Sequence, residues 1–255
     1  EGASEAILEK RDRPGGNSSL STGSVPGAGS RFQRAAGVED SARRMIDDLW
    51  AIAGDTDDPA LLARMAEVSA PTVEWLVDTV GARMALITAY KHIGHTERRL
   101  HAPTSRRGQE LVDDLLAAVE TRAIPLAVGN AVEELLVEDG RLVGARARAG
   151  SEVSTVRARK IILAVNGFAA DRDLVREHCP EIAGAEYFGA LGSNGEAVKW
   201  GRALGAAFAN MGAYQGYAAV AYPHGSLLSW TTIEKGGMLV GQNGRRFGDE
   251  SLGYS

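Results

Sequence analysis

Residues 6–23 read Ala-Ile-Leu-Glu-Lys-Arg-Asp-Arg-Pro-Gly-Gly-Asn-Ser-Ser-Leu-Ser-Thr-Gly: a short apolar run closed by an acid and a base, then a glycine turn. In a Rossmann-type βαβ unit the acid that closes the second strand accepts hydrogen bonds from a ribose hydroxyl. A glycine-rich turn lets backbone N–H groups approach a pyrophosphate. Ile7 and Leu8 are therefore expected to end a strand, with Glu9 as the ribose acid. No Gly-x-Gly-x-x-Gly stands upstream of Glu9, and Gly2-Ala3-Ser4 has the look of a helix end. The chain is thus expected to begin roughly 25 to 30 residues inside its domain, without the first β-α unit.

Extended to Gly23, this segment resembles the flavin-binding signature of the fumarate reductase and succinate dehydrogenase flavoprotein family, which also holds aspartate oxidases, ketosteroid dehydrogenases and flavocytochrome-type reductases. Four later landmarks match it in the same order: Asp58-Pro59, His101-Ala102-Pro103-Thr104, Ile161-Ile162-Leu163-Ala164-Val165-Asn166-Gly167-Phe168 and Asn243-Gly244-Arg245-Arg246-Phe247. The resemblance implies an α/β fold. A Rossmann-like FAD-binding domain with a β-hairpin or meander insertion would cover residues 1–210, and residues 211–255 would begin an α+β substrate-capping domain that is cut short. It implies FAD as cofactor, contacted by Glu9, Lys10, Gly15, Gly16, Asn17, Ser18, Thr22, Gly23, Val132, Ala164, Asn166, Gly167 and Gly195. Relatives with covalently attached flavin carry a histidine where Asn17 stands, and asparagine cannot form that bond, so FAD is expected to be held non-covalently.

The activity so implied is hydride transfer between flavin N5 and an activated carbon–carbon bond, on a small-molecule substrate and with an electron donor or acceptor of unspecified identity. Two other readings compete with it. One is a non-catalytic, truncated piece of such a flavoprotein that does not retain FAD. The other, a NAD-binding dehydrogenase, is disfavoured because Gly15-Gly16-Asn17-Ser18 follows the ribose acid directly.

Composition agrees with a globular chain. The 255 residues are 44% hydrophobic with a net charge of −5, enough for one sizeable core and part of a second. The 28 basic residues are dispersed among 33 acids, and Arg98-Arg99 and Arg106-Arg107 are too short to attract nucleic acid. No apolar run approaches the roughly 20 residues of a membrane helix. One cysteine, Cys179, leaves no internal disulfide and is read as a buried small side chain. The compartment stays open, with the cytoplasm favoured, because a missing N-terminus makes the lack of a leader uninformative.

Periodicity outlines the elements. Met45, Leu49 and Ile52 recur at helical spacing between Asp40 and Ala53. Asp58-Pro59 then supplies an N-cap and first-turn proline for a second helix holding Leu61, Leu62 and Met65. A third helix is expected over Pro71 to Val80 and a fourth near Gln109 to Arg122. Leu126 to Val128, Val132 to Val137, Leu142 to Ala147 and Val153 to Ala158 read as strands, with Asp139-Gly140 as a hairpin turn. Ile161 to Val165 is continuously apolar, as in a parallel strand covered on both faces, and its tip at Asn166-Gly167 should meet a ligand. A helix entered through Ser193-Asn194-Gly195 runs toward Gly205, with Asn194 able to cap it. Family members usually carry Gly-Asp-Gly there.

Candidate chemistry outside the glycine turn is sparser. The resemblance places His101 in a loop on the flavin side of the sheet. His92 and His95 lack a third ligand at suitable spacing, so no metal is expected. His224, in Tyr222-Pro223-His224-Gly225, falls in the expected pocket wall. Counted from Arg246-Phe247, the place of the arginine proton donor of many fumarate-reducing relatives falls on Tyr254. An arginine would bring a permanent positive charge to a carboxylate substrate, whereas tyrosine brings a neutral hydroxyl. Tyr254, with His224 or Tyr217, is therefore the expected proton donor or acceptor. A ketone, enone or steroid-like substrate suits it better than fumarate.

Overall fold

The computed structural model describes residues 4–54, 58–216, 220–228, 231–246 and 248–250. Tyr217, Tyr254, Gly2 and Ala3 lie outside them. In chain order the elements begin with β1 (Ile7–Leu8), α1 (Gly16–Leu20), β2 (Val25–Pro26), α2 (Arg31–Ala35), α3 (Ala42–Ala53) and α4 (Pro59–Trp75). There follow β3 (Met84–Leu86), β4 (Leu100–Pro103), α5 (Gly108–Thr121), β5 (Leu126–Ala127), β6 (Ala131–Glu138), β7 (Arg141–Ala149) and β8 (Glu152–Arg157). The last are α6 (Arg172–His178), α7 (Glu196–Ala203), β9 (Val220–Ala221), β10 (Ser226–Leu227) and α8 (Thr231–Glu234). The chain is mixed α/β and divides into two compact units.

The first unit comprises residues 1–23, 80–82 and 105–212. β1 pairs in parallel with β5, Ile7 opposite Leu126 and Leu8 opposite Ala127. The pairing continues past the strand, with Glu9 N–H donating to the Ala127 carbonyl and Asn130 N–H to the Glu9 carbonyl, both at 2.9 Å. β6, β7 and β8 form an antiparallel meander. Asp139 and Gly140, at φ 48° and 72°, make the two-residue turn that joins β6 to β7, as a type I′ turn requires. α5 lies on α1 and begins at Gly108, where a Cβ would overlap the carbonyl oxygen of Ser18.

Ile161 to Val165 is not a strand, contrary to its apolar run. None of the described strands pairs with it, and Ile162 is 92% exposed. Apolar composition favours an extended backbone, but a strand exists only through a hydrogen-bonded neighbour.

The second unit comprises residues 24–79, 83–104 and 213–255. Ser41 caps α3 through Arg44 N–H, and Asp58 caps α4 through the N–H groups of Ala60 and Leu61. Met45, Ala28 and Ala66 form a buried cluster against which Ala42, Ile46 and Leu49 pack. The second and third expected helices are one: α4 runs through Pro71 to Trp75 and continues as a π-helical turn at Leu76–Val80. Pro71 removes a single backbone bond. The buried stripe Leu62, Ala66, Ala70, Val73 and Leu76 holds the helix together across it.

β2, β4 and β3 form an antiparallel sheet. Its support is polar. Arg99, 1% exposed, donates from Nε and Nη2 to both Asp40 carboxylate oxygens at 3.0 Å and from Nη1 to Asp48 at 2.6 Å. Gln33 ties Asp40 to the Arg98 carbonyl and, with Ser30, completes a capping box on α2. His101 is not in a loop but in β4, fully buried, its Nε2 2.9 Å from Ser30 Oγ and its Nδ1 3.0 Å from the Arg99 carbonyl. Burial lowers its pKa. As the neutral imidazole it donates through Nδ1–H and accepts from the serine hydroxyl.

Candidate functional site

The site grows from the end of β1 in the first unit. Glu9 leaves the ladder there, and one of its carboxylate oxygens accepts the Arg11 N–H at 2.7 Å. The chain then swings through Gly15 at φ +139° and Gly16 at φ +50°, where side chains are rare. A Cβ on Gly15 would stand 2.9 Å from Ser19 Cβ, so the turn is closed down onto α1. Ser19 locks it, its N–H donating to the Gly15 carbonyl at 3.2 Å and its hydroxyl to the Gly16 carbonyl at 2.9 Å. The first N–H groups of α1, from Gly16 to Ser18, have no acceptor within the helix.

Two sequence-distant segments meet this turn. Asn166, at φ +63°, accepts the N–H of Gly167 on its own side-chain oxygen, and its Nδ2 is 3.9 Å from where a Cβ of Gly16 would stand. Gly167 in turn accepts the N–H of Gly195 at 3.2 Å. Asn17 Oδ1 accepts the Ala190 N–H at 2.6 Å, and the Lys10 ammonium donates to the Gly192 carbonyl and to the Glu196 carboxylate. Lys10 and Asn17 are thus bonded to the 190–196 segment and Gly195 to Gly167, with Asn166 beside Gly16.

Asn194 does not cap α7, contrary to expectation. The N-cap is Gly195 in the left-handed region, φ 71° and ψ 31°, with no side-chain cap, and a Cβ there would overlap Leu174 and sit 2.9 Å from Phe168 Cβ. Asn194 N–H instead donates to the Gly192 carbonyl at 2.9 Å.

Other expected contacts stand as follows. Ser18 accepts the Ser21 hydroxyl at 2.7 Å, and Thr22 precedes Gly23, a buried glycine at φ 67°. Ala164 is exposed, two residues before Asn166. Val132 lies on β6 opposite Ala147, where the register shifts. Sequence reasoning missed Glu196, Ala190, Gly108 and Tyr187, whose hydroxyl lies 3.0 Å from Ser193 Oγ. Only Gly108, opening a helix, carried a local signal.

In the second unit His224 is exposed in the turn between β9 and β10. There Glu250, 6% exposed, accepts from Arg246 Nε and from the Leu239 N–H, each at 2.7 Å. The Arg246 guanidinium, first, and that N–H hold its carboxyl down at about 2. Among the described residues no group of three or more His, Cys, Asp or Glu is placed to hold a metal.

The sequence model of the FAD binding domain family matches residues 1–255. The chain belongs to this family. Its cofactor is FAD, and the residues present fit that group: a carboxylate at the end of β1 and a glycine turn whose Gly15 and Gly16 hold positive φ. The NADH:fumarate oxidoreductase of Klebsiella pneumoniae is 30% identical, over 98% of this chain and 27% of that protein. The open conformation of a flavocytochrome c3 fumarate reductase superposes with a TM-score of 0.84 at 26% identity, over 95% of this chain and 43% of that one. A 3-ketosteroid-Δ4-(5α)-dehydrogenase from Rhodococcus jostii RHA1 shares the fold, with a TM-score of 0.71 at 24% identity, over 82% of this chain and 50% of that one. The chain therefore spans between about a quarter and a half of the length of these relatives.

Proposed function

We propose that this chain supplies the FAD-holding part of an oxidoreductase that moves a hydride between flavin N5 and an activated carbon–carbon bond. The observation that carries this reading is the Gly15-Gly16-Asn17 turn after Glu9, with Asn166 beside Gly16 and Asn17 bonded to Ala190, within a chain of the FAD binding domain family. In this reading Glu9 holds the ribose, the N–H groups from Gly15 to Ser18 face the pyrophosphate, Thr22 and Gly23 line the ring edge, and Lys10 orders the neighbouring loop. Val132, Ala164, Asn166, Gly167 and Gly195 form the remaining wall. FAD when bound supplies the hydride chemistry, and the protein supplies position and a proton. Tyr254, with His224 or Tyr217, is the proposed proton group, which favours a ketone, enone or steroid-like substrate over fumarate. A fumarate-acting protein stands among the relatives, and a ketosteroid dehydrogenase shares the fold. The electron partner is a further small molecule or protein. None of the described helices is long and apolar enough to cross a membrane.

The reading is tested by loading the protein with FAD, precipitating it with acid and centrifuging. With asparagine at position 17, yellow colour is expected wholly in the supernatant. Colour that stays in the washed pellet would reveal a covalent link and overturn the non-covalent assignment. A second reading, that the chain by itself retains little FAD, is favoured by the unpaired Ile161–Val165 segment beside Asn166. Stoichiometric FAD purifying with residues 1–255 would exclude it.

A further inference from the structure

Lys10 and Glu196 are 186 positions apart, yet the Lys10 ammonium donates both to Glu196 Oε1 and to the Gly192 carbonyl. The two side chains are only 27% and 20% exposed. The second carboxylate oxygen of Glu196 is buried with no hydrogen-bond partner. Lys199, three positions on in α7, is engaged by Asp171 at 2.7 Å. The charge of Glu196 is therefore balanced by Lys10, supplemented by the N-terminal end of α7, in whose first turn it sits.

The pair stands where an anionic ligand would feel it. Lys10 follows Glu9, and Glu196 follows Gly195, so each is chain neighbour to a proposed FAD contact. A half-buried carboxylate left uncompensated there would repel the pyrophosphate and would also bear its own desolvation. Lys10 cancels that charge while its second bond, to Gly192, fixes the loop that Asn17 holds at Ala190.

We propose that Lys10 is a positioning residue that neutralises Glu196, making the site acceptable to the FAD anion without Lys10 touching FAD. This rests on the FAD reading above. It differs from direct contact in a way that substitutions separate: if Lys10 acts by cancelling Glu196, removing Glu196 as well should repair its loss.

The experiment is a flavin-fluorescence titration of the full chain with FAD at low and high salt, for the unsubstituted protein and for Lys10→Met, Glu196→Gln, the double variant and Lys10→Arg. Lys10→Met is expected to raise Kd about tenfold at low salt, and less in high salt, where ions screen the part-exposed carboxylate left unpaired. Glu196→Gln is expected to bind FAD no more weakly than the unsubstituted protein, Lys10→Arg to bind nearly as well, and the double variant to return to within about twofold of it. Thermal melts alongside show whether Lys10→Met folds, and the double variant reads the same charge logic if it does not. An unchanged Kd in Lys10→Met, or a double variant as weak as Lys10→Met, would overturn charge neutralisation in favour of no role, of a mechanical tie through Gly192, or of direct contact. Absence of saturable FAD binding by the unsubstituted protein would instead support the second reading above and overturn this inference with it.

Discussion

Gly108 and His95 show how single positions constrain the chain. At Gly108 the first turn of α5 comes so close to α1 that a Cβ would overlap the Ser18 carbonyl, with Ser21 Oγ also in the way. Both obstacles belong to the segment that carries the glycine turn, so Gly108→Ala must push that segment aside. The expected result is a loss of about 1–3 kcal/mol in denaturant unfolding together with weaker FAD binding. His95, in the second unit, has an unpartnered buried Nδ1 and a pKa lowered to about 4, by burial first and then by the positive charge of Arg99. Its unfolded value is the ordinary 6.5, so between the two the unfolded state binds more protons. The stability that neutral His95 allows is therefore full above pH 6.5 and lost as pH falls toward 4. Replacing it by glutamine should flatten the stability profile in that window, which urea midpoints at pH 7, 6, 5 and 4 would read. An equally steep profile in His95→Gln would assign the acid sensitivity to other groups.

Among the elements, α4 keeps its course in spite of Pro71, because the apolar stripe on either side outweighs one missing backbone bond. Pro71 itself is exposed. Pro71→Ala should therefore stabilise the protein by about 1 kcal/mol, since the gain in helix propensity exceeds the loss of proline's stiffening of the unfolded chain. A drop in the melting temperature would mean that the ring packs usefully where it is. Elements with a local chemical signal were readable: Asp58-Pro59 starts α4, and Asp139-Gly140 turns β6 into β7. The β2–β4–β3 sheet was not. Its strands are short, two of them contain proline, and their support is the Arg99, Asp40, Asp48 and Gln33 network, which no periodicity announces. Ile161–Val165 failed for the complementary reason, because being a strand is a property of a pair, not of a run of side chains.

At the scale of the whole molecule, each unit carries a different part of the account. The first holds the proposed FAD face, and the second holds His224 and the Arg246–Glu250 pair. Gly15, Gly16, Gly23 and Gly195 of the FAD face were legible, because their positive φ favours glycine. The bonds that assemble the face, from Lys10 to Glu196 and from Asn17 to Ala190, join positions far apart in the chain and leave no local trace in the sequence. The most direct test of the proposed face is hydrogen–deuterium exchange of the protein with and without FAD. FAD should slow exchange in peptides covering residues 9–23, 164–167 and 190–196, and leave the Asp139-Gly140 hairpin unchanged. Protection confined to other peptides, with these three segments unaffected at saturating FAD, would contradict the site.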